Sequence, residues 1–472
     1  MVRPGTGYDH REALFGVPPY GGGIQQNVYY ADQDMCEPNV DTSKGFPERK
    51  DGSPWPSPYI LMIDRGGCTF VKKVRNAQRS GAAGVIIADN KCLCSREETC
   101  KTQGEDVCEM KEPIMADDGS GSDISIPSFL MFKEDADPVR DVLKSNKLVR
   151  MEMQWAIPTP DDRVEYDLFT TPTDIISRPF QDQFKAAALA LGKHASFTPH
   201  MYIYDGVKAG CQGFDGDNQC YNLCTNNGRY CATDPDDDLD RGISGADVVT
   251  ESLRRACIWN IYGTDGIGEV WWTYVEEFMY RCQEEDFFAS DACVQDAYDH
   301  AGVKKSEIDA CMVDSGGLEG DVPNQVLDTQ LGEREAIGVV IVPSMYVNTA
   351  AIRGELEFAT VFKAVCAGYE KGTEPGVCKK CANCNDEYHC VTKGKCTSGG
   401  TGTGGVSFPV FSATLAILVA IFLVFAACQY RRQQLAMRNE VRGIMAEYMP
   451  IDKRQAMEDN SVGLTDTEGE FS

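Results

Sequence analysis

An uncharged apolar stretch most constrains how this chain can fold. It runs from Val406 to Cys428 and is followed at once by Arg431 and Arg432. About 20 apolar residues suffice to cross the hydrocarbon core of a bilayer, and a soluble-domain helix of this length normally carries a polar stripe. We expect a transmembrane helix over 406–428, with a buried core helix as the alternative. Because arginines cluster on the cytosolic side, 429–472 should be a cytosolic tail and the preceding residues luminal.

The cysteines agree with this topology. The chain has 21 cysteines, and all but Cys428 precede the apolar stretch. An even number at irregular intervals is typical of disulfides formed in an oxidising compartment. A zinc site around Cys378-x-x-Cys381-x-x-Cys384 is the alternative. The opening residues contain no signal-peptide core, so we expect the natural start to be missing or trimmed.

Net charge excludes some partners. The formal charge is −27, which argues against nucleic acid or an anionic membrane surface as a ligand. Basic ligands remain compatible, as does an acidic surface that serves solubility alone. An acidic cluster is formed by Asp236, Asp237, Asp238 and Asp240. It could hold a hard cation such as calcium, but it lacks the spacing of a known loop, and a solvated turn is the simpler interpretation.

The first part of the chain has the pattern of an α/β domain. PYILMIDRGGC predicts a strand that ends at Asp64, TFVKKVRNAQRS a helix, and GVIIADN a second strand, which together make a βαβ unit. A third strand is predicted at IPSFLMF, followed by a helix over 137–147 entered through Pro138. The polar residues 91–115 between them hold four cysteines and indicate a disulfide-tied surface excursion.

The second part predicts a thioredoxin-like order of elements. A strand at 198–204 precedes several helical patterns, and IGVVIVPSMYVN then gives two strands separated by Pro343, before a final helix. In this order the Val342–Pro343 peptide is expected to be cis. Thiol oxidoreductases need a C-x-x-C at the exit of the first strand, but Asp205 to Lys208 follow HMYIY. Cys220-x-x-x-Cys224 has the wrong spacing, so we expect no catalytic residues.

These stretches resemble known families. The first part, from FGVPPYGG through DRGGCTFVKKVRNAQRSGAAGVIIADN to IPSFLMF, resembles the protease-associated domain, a binding module without catalytic residues. The second part resembles the central region of plant vacuolar sorting receptors in PDDRVEYDL, GRYCATDPDDD, VWWTYVEEF, VPSMYVN and TEPGVC. EVRGIMAEYMPID in the tail is similar to that family's cytosolic signal.

The resemblance implies an α/β and α+β multidomain protein with one transmembrane helix. Members of the family are type I receptors of the Golgi, prevacuolar membranes and clathrin-coated vesicles, which bind soluble vacuolar cargo and recruit clathrin adaptors. The boundaries expected are a protease-associated domain over 1–158, a thioredoxin-like region over 159–372, a reduced EGF-like segment over 373–397 and a Gly/Thr stalk over 398–405. The family's EGF repeats are shortened here, so calcium has no evident motif, and no cofactor is expected.

The resemblance also places the candidate cargo site. Arg65, Gly66 and Gly67 lie in DRGGCTF, where the family's cargo-contacting arginine lies. A guanidinium offers a rigid fork of donors, which suits a peptide carboxylate or backbone carbonyls. The alternative is an arginine paired with Asp64 or another local carboxylate. The simpler interpretation of Gly66 and Gly67 is that they permit the turn backbone, while Cys68 is expected to form a bridge and Phe70 to pack in the core.

The tail carries a candidate sorting signal. Tyr448, Met449, Pro450 and Ile451 match the tyrosine-x-x-bulky apolar motif that clathrin adaptors bind in extended form. A helix end is the alternative interpretation. Two other functions of such domains, a peptidase and a membrane-anchored ubiquitin ligase, lack their metal-ligand patterns here. The alternative to a receptor is a membrane-anchored, catalytically inactive thioredoxin-type luminal chaperone.

Overall fold

The computed structural model describes residues 7–38, 41–96, 108–283, 287–288, 290–339 and 341–397. Among these residues, no helix is both long and apolar enough to cross a membrane. The predicted span, its flanking stalk and the tyrosine signal lie outside the described residues.

The N-terminal sheet has six strands, and its centre is built from apolar runs buried on both faces. The strands are β1 His10–Glu12, β2 Gly23–Tyr30, β3 Tyr59–Asp64, β4 Ala82–Ala88, β5 Ser128–Met131 and β6 Val149–Gln154. Their order is β1-β5-β4-β3-β2-β6. The strands β2 to β5 are parallel, whereas β1 and β6 run antiparallel at the edges. Coverage on both faces is what parallel sheets require.

One helix covers each face of this sheet. The first, α1 (Phe70–Arg79), begins at Thr69, whose side chain accepts a hydrogen bond from the Lys72 amide. It buries Val71, Val74 and Ala77, as predicted. The second, α2 (Lys133–Lys144), begins four residues earlier than predicted, and Pro138 lies inside it. The acidic first turn of α2, which complements the positive end of the helix dipole, favours the earlier start.

The second domain is built on a four-stranded sheet. Its strands are β7 Val164–Thr170, β8 Ala195–Met201, β12 Ser344–Val347 and β13 Ala350–Ile352. In the order β13-β12-β7-β8, only β7 and β8 are parallel. The helix α3 (Arg178–Leu191) joins these two. This is the thioredoxin-like arrangement, and the Val342–Pro343 peptide is cis, as predicted.

Helices inserted between β8 and β12 supply a large part of the second core. They are α4 Gly245–Tyr262, α5 Glu269–Arg281, α6 Asp291–Ala301, α7 Lys305–Asp314 and α8 Gln325–Ile337. Trp271 and Trp272 of α5 are fully buried and pack against Phe197 of β8. A small sheet of β9 Tyr204–Asp205, β10 Cys224–Thr225 and β11 Tyr230–Cys231 lies in the Cys-rich loop.

The C-terminal part of the described chain is helical. It comprises α9 Phe358–Ala367, α10 Gly376–Cys381 and α11 Glu387–Lys393. The segment expected to be a reduced EGF-like unit therefore consists of two short helices. It is held by the disulfides Cys366–Cys378, Cys381–Cys390 and Cys384–Cys396. Since these bonds use the sulfurs, the zinc alternative is wrong.

Every cysteine among the described residues is disulfide-bonded. Cys68 pairs with Cys36, which confirms the expected bridge. The further pairs are Cys94–Cys108, Cys211–Cys220, Cys224–Cys231, Cys257–Cys311 and Cys282–Cys293.

The two domains contact each other through backbone groups and the hydroxyl of one tyrosine. The amide of Gly354 donates to the Ala13 carbonyl at 3.0 Å, and the amide of Glu355 donates to the Gly16 carbonyl at 3.0 Å. The Tyr20 hydroxyl donates to the Arg353 carbonyl at 3.0 Å. The segment that enters the first sheet is thus fixed to the loop that precedes α9.

Candidate functional site

The turn between β3 and α1 carries the predicted binding residues. Arg65 leaves the carboxyl end of β3, and its amide donates to the Ala88 carbonyl at 2.9 Å. Its own carbonyl accepts from the Asn90 side chain at 3.0 Å. Gly66 and Gly67 follow with φ values of +107° and +83°, which side chains other than glycine rarely adopt. Both glycines are exposed, so the turn presents open backbone beside Arg65.

Arg65 is held by two carboxylates, neither of which is Asp64. Its Nη1 donates to Asp89 Oδ1 at 3.0 Å. Glu109 receives a two-pronged contact, with Nη1 to Oε2 at 2.7 Å and Nη2 to Oε1 at 3.1 Å. Asp64 instead accepts from Arg140 at 2.6 Å and from the Tyr30 hydroxyl at 2.7 Å. Arg65 is thus paired with carboxylates, as in the alternative interpretation, but these partners are distant in the sequence rather than local.

These contacts define a compact ionic group, which we call the Arg65 cluster: Arg65, Asp89, Lys91 and Glu109. Lys91 Nζ lies 3.3 Å from Glu109 Oε1. The Asp89 side chain is completely buried, whereas those of Arg65 and Glu109 are each 21% exposed. Two cations and two anions therefore balance, and the solvent reaches the side formed by Arg65 and Glu109.

Hydrogen bonding sets the protonation of the cluster. The hydrogen bonds from Arg65 are the main cause that holds the pKa of Glu109 below its usual value. Partial burial disfavours the charge on Arg65, but the bonds to Glu109 and Asp89 outweigh it and raise the pKa of the guanidinium. Arg65 and Glu109 thus both stay charged across the physiological range of pH.

The turn is anchored from below by residues that sequence reasoning missed. Lys73 is fully buried on the inner face of α1, and its ammonium group donates to the Asp34 carbonyl. Asn76 donates to the Met35 carbonyl at 2.9 Å. Together with the Cys36–Cys68 disulfide, these bonds fix residues 34–36 beneath Gly67. The helical spacing of Lys73 with Phe70, Val74 and Ala77 was the available signal.

Glu109 comes from the Cys-rich excursion, part of which lies outside the described residues. Its amide donates to the Cys92 carbonyl at 2.8 Å, and its carbonyl accepts from the Cys94 amide at 2.9 Å. The adjacent Cys94–Cys108 disulfide closes this base. The excursion therefore places a carboxylate directly on Arg65. Because Glu109 is far from DRGGCTF in the sequence, no local pattern indicated that it pairs with Arg65.

The equivalent turn of the second domain follows β7, which corrects our assignment of the first strand. The first strand of the thioredoxin-like sheet is Val164–Thr170. The predicted strand 198–204 overlaps only the end of the second, Ala195–Met201, and runs on into β9. The position of a C-x-x-C is therefore the turn 171–177 before α3, and this turn has no cysteine. Ser344 pairs with Phe169, so cis Pro343 lies beside this turn.

Polar side chains fill this second turn. Asp174 Oδ1 accepts from the amides of Ile176 and Ser177 at 2.9 and 3.2 Å, and the Ser177 hydroxyl donates to Asp174 Oδ2 at 2.5 Å. The side-chain amide of Gln181 donates from Nε2 to Ser177 Oγ at 2.6 Å. Asp174, Ser177 and Gln181 are buried, whereas Ile175 and Ile176 are more than 70% exposed. This arrangement offers hydrogen bonds to its own backbone and holds no sulfur nucleophile.

The remaining predicted features differ in their outcome. Asp236, Asp237, Asp238 and Asp240 are exposed, and the amides of Asp238 and Asp240 donate to the carboxylates two residues earlier. In the part of the chain that the structure describes, the groups with metal-ligand geometry are two sets of disulfide-bonded cysteines. Phe70 is partly buried against the first core. Tyr448, Met449, Pro450 and Ile451 lie outside the described residues, so their role stays a prediction.

Comparison with known proteins supports both domains. Residues 24–139 match the PA domain, and residues 164–366 match the vacuolar sorting receptor thioredoxin-like domain. Vacuolar-sorting receptor 1 of Pisum sativum is 34% identical over 396 residues, which cover 82% of this chain and 60% of that protein. Vacuolar-sorting receptor 4 of Arabidopsis thaliana is 35% identical over 387 residues, covering 79% of this chain and 58% of that protein.

The chain thus spans about three fifths of the length of these relatives. Among solved structures, the oxidoreductase DsbA from Xylella fastidiosa is similar at 11% identity, with a TM-score of 0.26. That similarity covers 45% of this chain and 88% of DsbA. The resemblance predicted from the sequence is confirmed by the two domain matches and the receptor relatives.

Proposed function

From the PA domain and thioredoxin-like domain of vacuolar sorting receptors that this chain carries, we propose that it is a transmembrane sorting receptor for soluble vacuolar proteins. Its luminal part binds sorting determinants of cargo in the Golgi and endosomal pathway. The single observation that carries the proposal is the presence of these two domains in the order of the receptors, fixed to each other by the contacts of Ala13 and Gly16 with the loop before α9.

Cargo binding is proposed for the turn between β3 and α1. Ligands of open α/β sheets bind beyond the carboxyl ends of parallel strands, which is where Arg65, Gly66 and Gly67 lie. The exposed glycine backbone can approach an extended peptide closely, and the Arg65 guanidinium adds a charged donor. Asp89, the cis proline loop and the second turn contribute no reactive group, so we propose a binding function without catalysis.

The tail completes the proposed receptor. Tyr448 and Ile451 would each fill a pocket of a clathrin adaptor, so both anchors are needed. Alanine at either position should shift the protein toward the cell surface, with Tyr448→Phe intermediate because the ring is kept. Normal intracellular distribution of both alanine variants, measured by surface labelling, would remove this motif from the proposal.

Capture of cargo tests the proposal most simply. The full chain, solubilised in detergent and immobilised, should retain a defined set of soluble secretory-pathway proteins. Arg65→Ala should retain less, because a hydrogen bond to a charged group is worth about 1.5–3 kcal/mol. Arg75→Ala is the matched control, since Arg75 lies on α1 of the same domain and pairs with Asp123 at 2.7 Å. Equal capture by both variants would exclude Arg65 from the site.

A further inference from the structure

The Arg65 site already contains a carboxylate that belongs to the chain itself. Glu109 contacts both terminal nitrogens of the guanidinium at 2.7 and 3.1 Å, the arrangement in which arginine binds carboxylates most strongly. We propose that Glu109 occupies the site as an internal ligand, and that a ligand binds by exchanging its own carboxylate for that of Glu109. This inference rests on the proposed function of the turn as a binding surface.

Glu109 is built into its position. Its amide and carbonyl bond to Cys92 and Cys94, and the Cys94–Cys108 disulfide closes the loop at its side. A tethered group acts at an effective concentration of the order of millimolar or more when its geometry matches the site. The backbone bonds supply that match. A free carboxylate at micromolar concentration therefore competes poorly against Glu109 while this base is intact.

The charges around Arg65 specify what can replace Glu109. Asp89 is completely buried behind the guanidinium, and among the residues that the structure describes its Oδ2 has no hydrogen-bond partner. Lys91 lies next to Glu109, with its Nζ 3.3 Å from Glu109 Oε1. When the Glu109 side chain rotates away, Arg65 and Lys91 face solvent with Asp89 as their counterion, which leaves one uncompensated positive charge. An anionic carboxylate restores neutrality, whereas a neutral carbonyl does not.

The ligand class follows from this exchange. The site takes a peptide that bears an ionised carboxylate, from an acidic side chain or a chain end, beside backbone that can lie along the exposed Gly66 and Gly67. A peptide binds only if its carboxylate competes successfully with that of Glu109 for Arg65, so Glu109 is a specificity-determining residue. Peptides that engage Arg65 only through neutral groups are rejected, because they leave uncompensated the positive charge of Arg65 and Lys91 that Glu109 had balanced.

Substitution of Glu109 tests the proposal with a defined probe. The probe is the peptide Gly-Glu-Gly-Glu-Gly-amide with a neutral fluorophore on its N-terminus, and the same labelled peptide with Gln for Glu is its neutral counterpart. Fluorescence anisotropy with the full solubilised chain at pH 7 should show about tenfold tighter binding of the acidic peptide to Glu109→Gln than to the wild type. The neutral peptide should show no gain. Glu109→Ala provides a second variant with the same expected result.

Two controls separate exchange from simple charge. Glu112→Gln removes the same charge from the same excursion, where Glu112 pairs with Arg11, and should give less than a twofold gain. Arg65→Ala combined with Glu109→Gln should abolish the gain. The proposal is overturned if Glu109→Gln leaves peptide affinity unchanged and only lowers the melting temperature, if Glu112→Gln gives an equal gain, or if the double variant keeps it. Failure of the receptor function would appear separately, as absence of protein capture by the wild type.

Discussion

Two strand-to-helix turns occupy equivalent places on the two sheets, yet they carry different chemistry. The turn after β3 holds the Arg65 guanidinium at the solvent boundary with ionised partners. The turn after β7 turns its polar groups inward, where Asp174 and Ser177 bond to each other and to the backbone. Ile175 and Ile176 are left outside.

The difference shows that the fold determines where a ligand could bind, whereas the side chains at that position determine whether it does. Both turns lie at the carboxyl end of a parallel strand, where open sheets bind ligands. Only the first has a charged donor that can exchange partners, whereas the second satisfies its own polar groups. A thioredoxin-like sheet without a thiol is therefore expected to act as a structural support for the first domain.

The largest expected effect concerns the disulfide beneath the first turn. Replacing Cys36 and Cys68 together by serine should destabilise the first domain by about 2–4 kcal/mol, because the bond closes a long loop. Their sequence separation is 32 residues, against 9 for Cys211 and Cys220. Scanning calorimetry should therefore show a smaller loss for the latter pair. If the two pairs lower the transitions equally, the first turn does not depend on its covalent anchor.

A second prediction concerns the inward polar groups of the other turn. Asp174→Ala removes the acceptor of two backbone amides and two hydroxyls, so it should cost about 1–3 kcal/mol of stability. Asp162→Ala, at an exposed carboxylate near the start of β7, should cost less than about 0.5 kcal/mol. Thermal denaturation measures both. A change in capture of soluble proteins by folded Asp174→Ala would show that this turn also binds.

A third prediction concerns how stability depends on pH, through two glutamates near the contact between the domains. Burial raises the pKa of Glu12, against the opposing charges of His10 and Arg353. Burial also raises the pKa of Glu355, assisted by Glu357 and Asp117. Because the pKa of each carboxyl group is higher in the folded protein, its contribution to stability is fully present below the pKa of the unfolded chain, about 4.3. That contribution is lost as the pH rises through the folded-state pKa.

The double variant Glu12→Gln with Glu355→Gln should therefore be more stable than the wild type at pH 7, because neither glutamine has to carry a charge in its partly buried position. Melting temperatures between pH 4.5 and 7.5 should diverge from the wild type as pH rises. The pKa of Glu109 is lowered instead, so Glu109→Gln should not alter the slope above pH 5. A wild-type slope that survives in the Glu12 and Glu355 double variant would place the acid response elsewhere.

Local patterns in the sequence predicted the parts of the fold that depend on local physics. The apolar run of β3, the spacing of α1 and the proline before β12 gave the β3–α1–β4 unit and the cis peptide. The strand β7 was missed as the first strand, although Val164, Tyr166 and Leu168 point inward in alternation, as the period of a strand requires. The start of α2 was misplaced because Pro138 suits a first turn equally well.

The candidate site was predictable only in part. The glycines and Arg65 lie in a contiguous motif, so the turn could be located. The partners of Arg65 could not, because Asp89 comes from the next strand's end and Glu109 from an excursion whose position the sequence does not specify. Pairing across such separations is decided by packing, which local patterns do not encode.

The most direct test of the account compares the two turns in one binding measurement. A soluble protein captured by the full chain is titrated by calorimetry against the wild type, Arg65→Ala, and Ile175→Ser with Ile176→Ser. The account predicts that Arg65→Ala weakens binding at least tenfold, while the isoleucine variant binds as the wild type does. Unchanged affinity in Arg65→Ala, together with lost affinity in the isoleucine variant, would contradict it and assign binding to the thioredoxin-like domain.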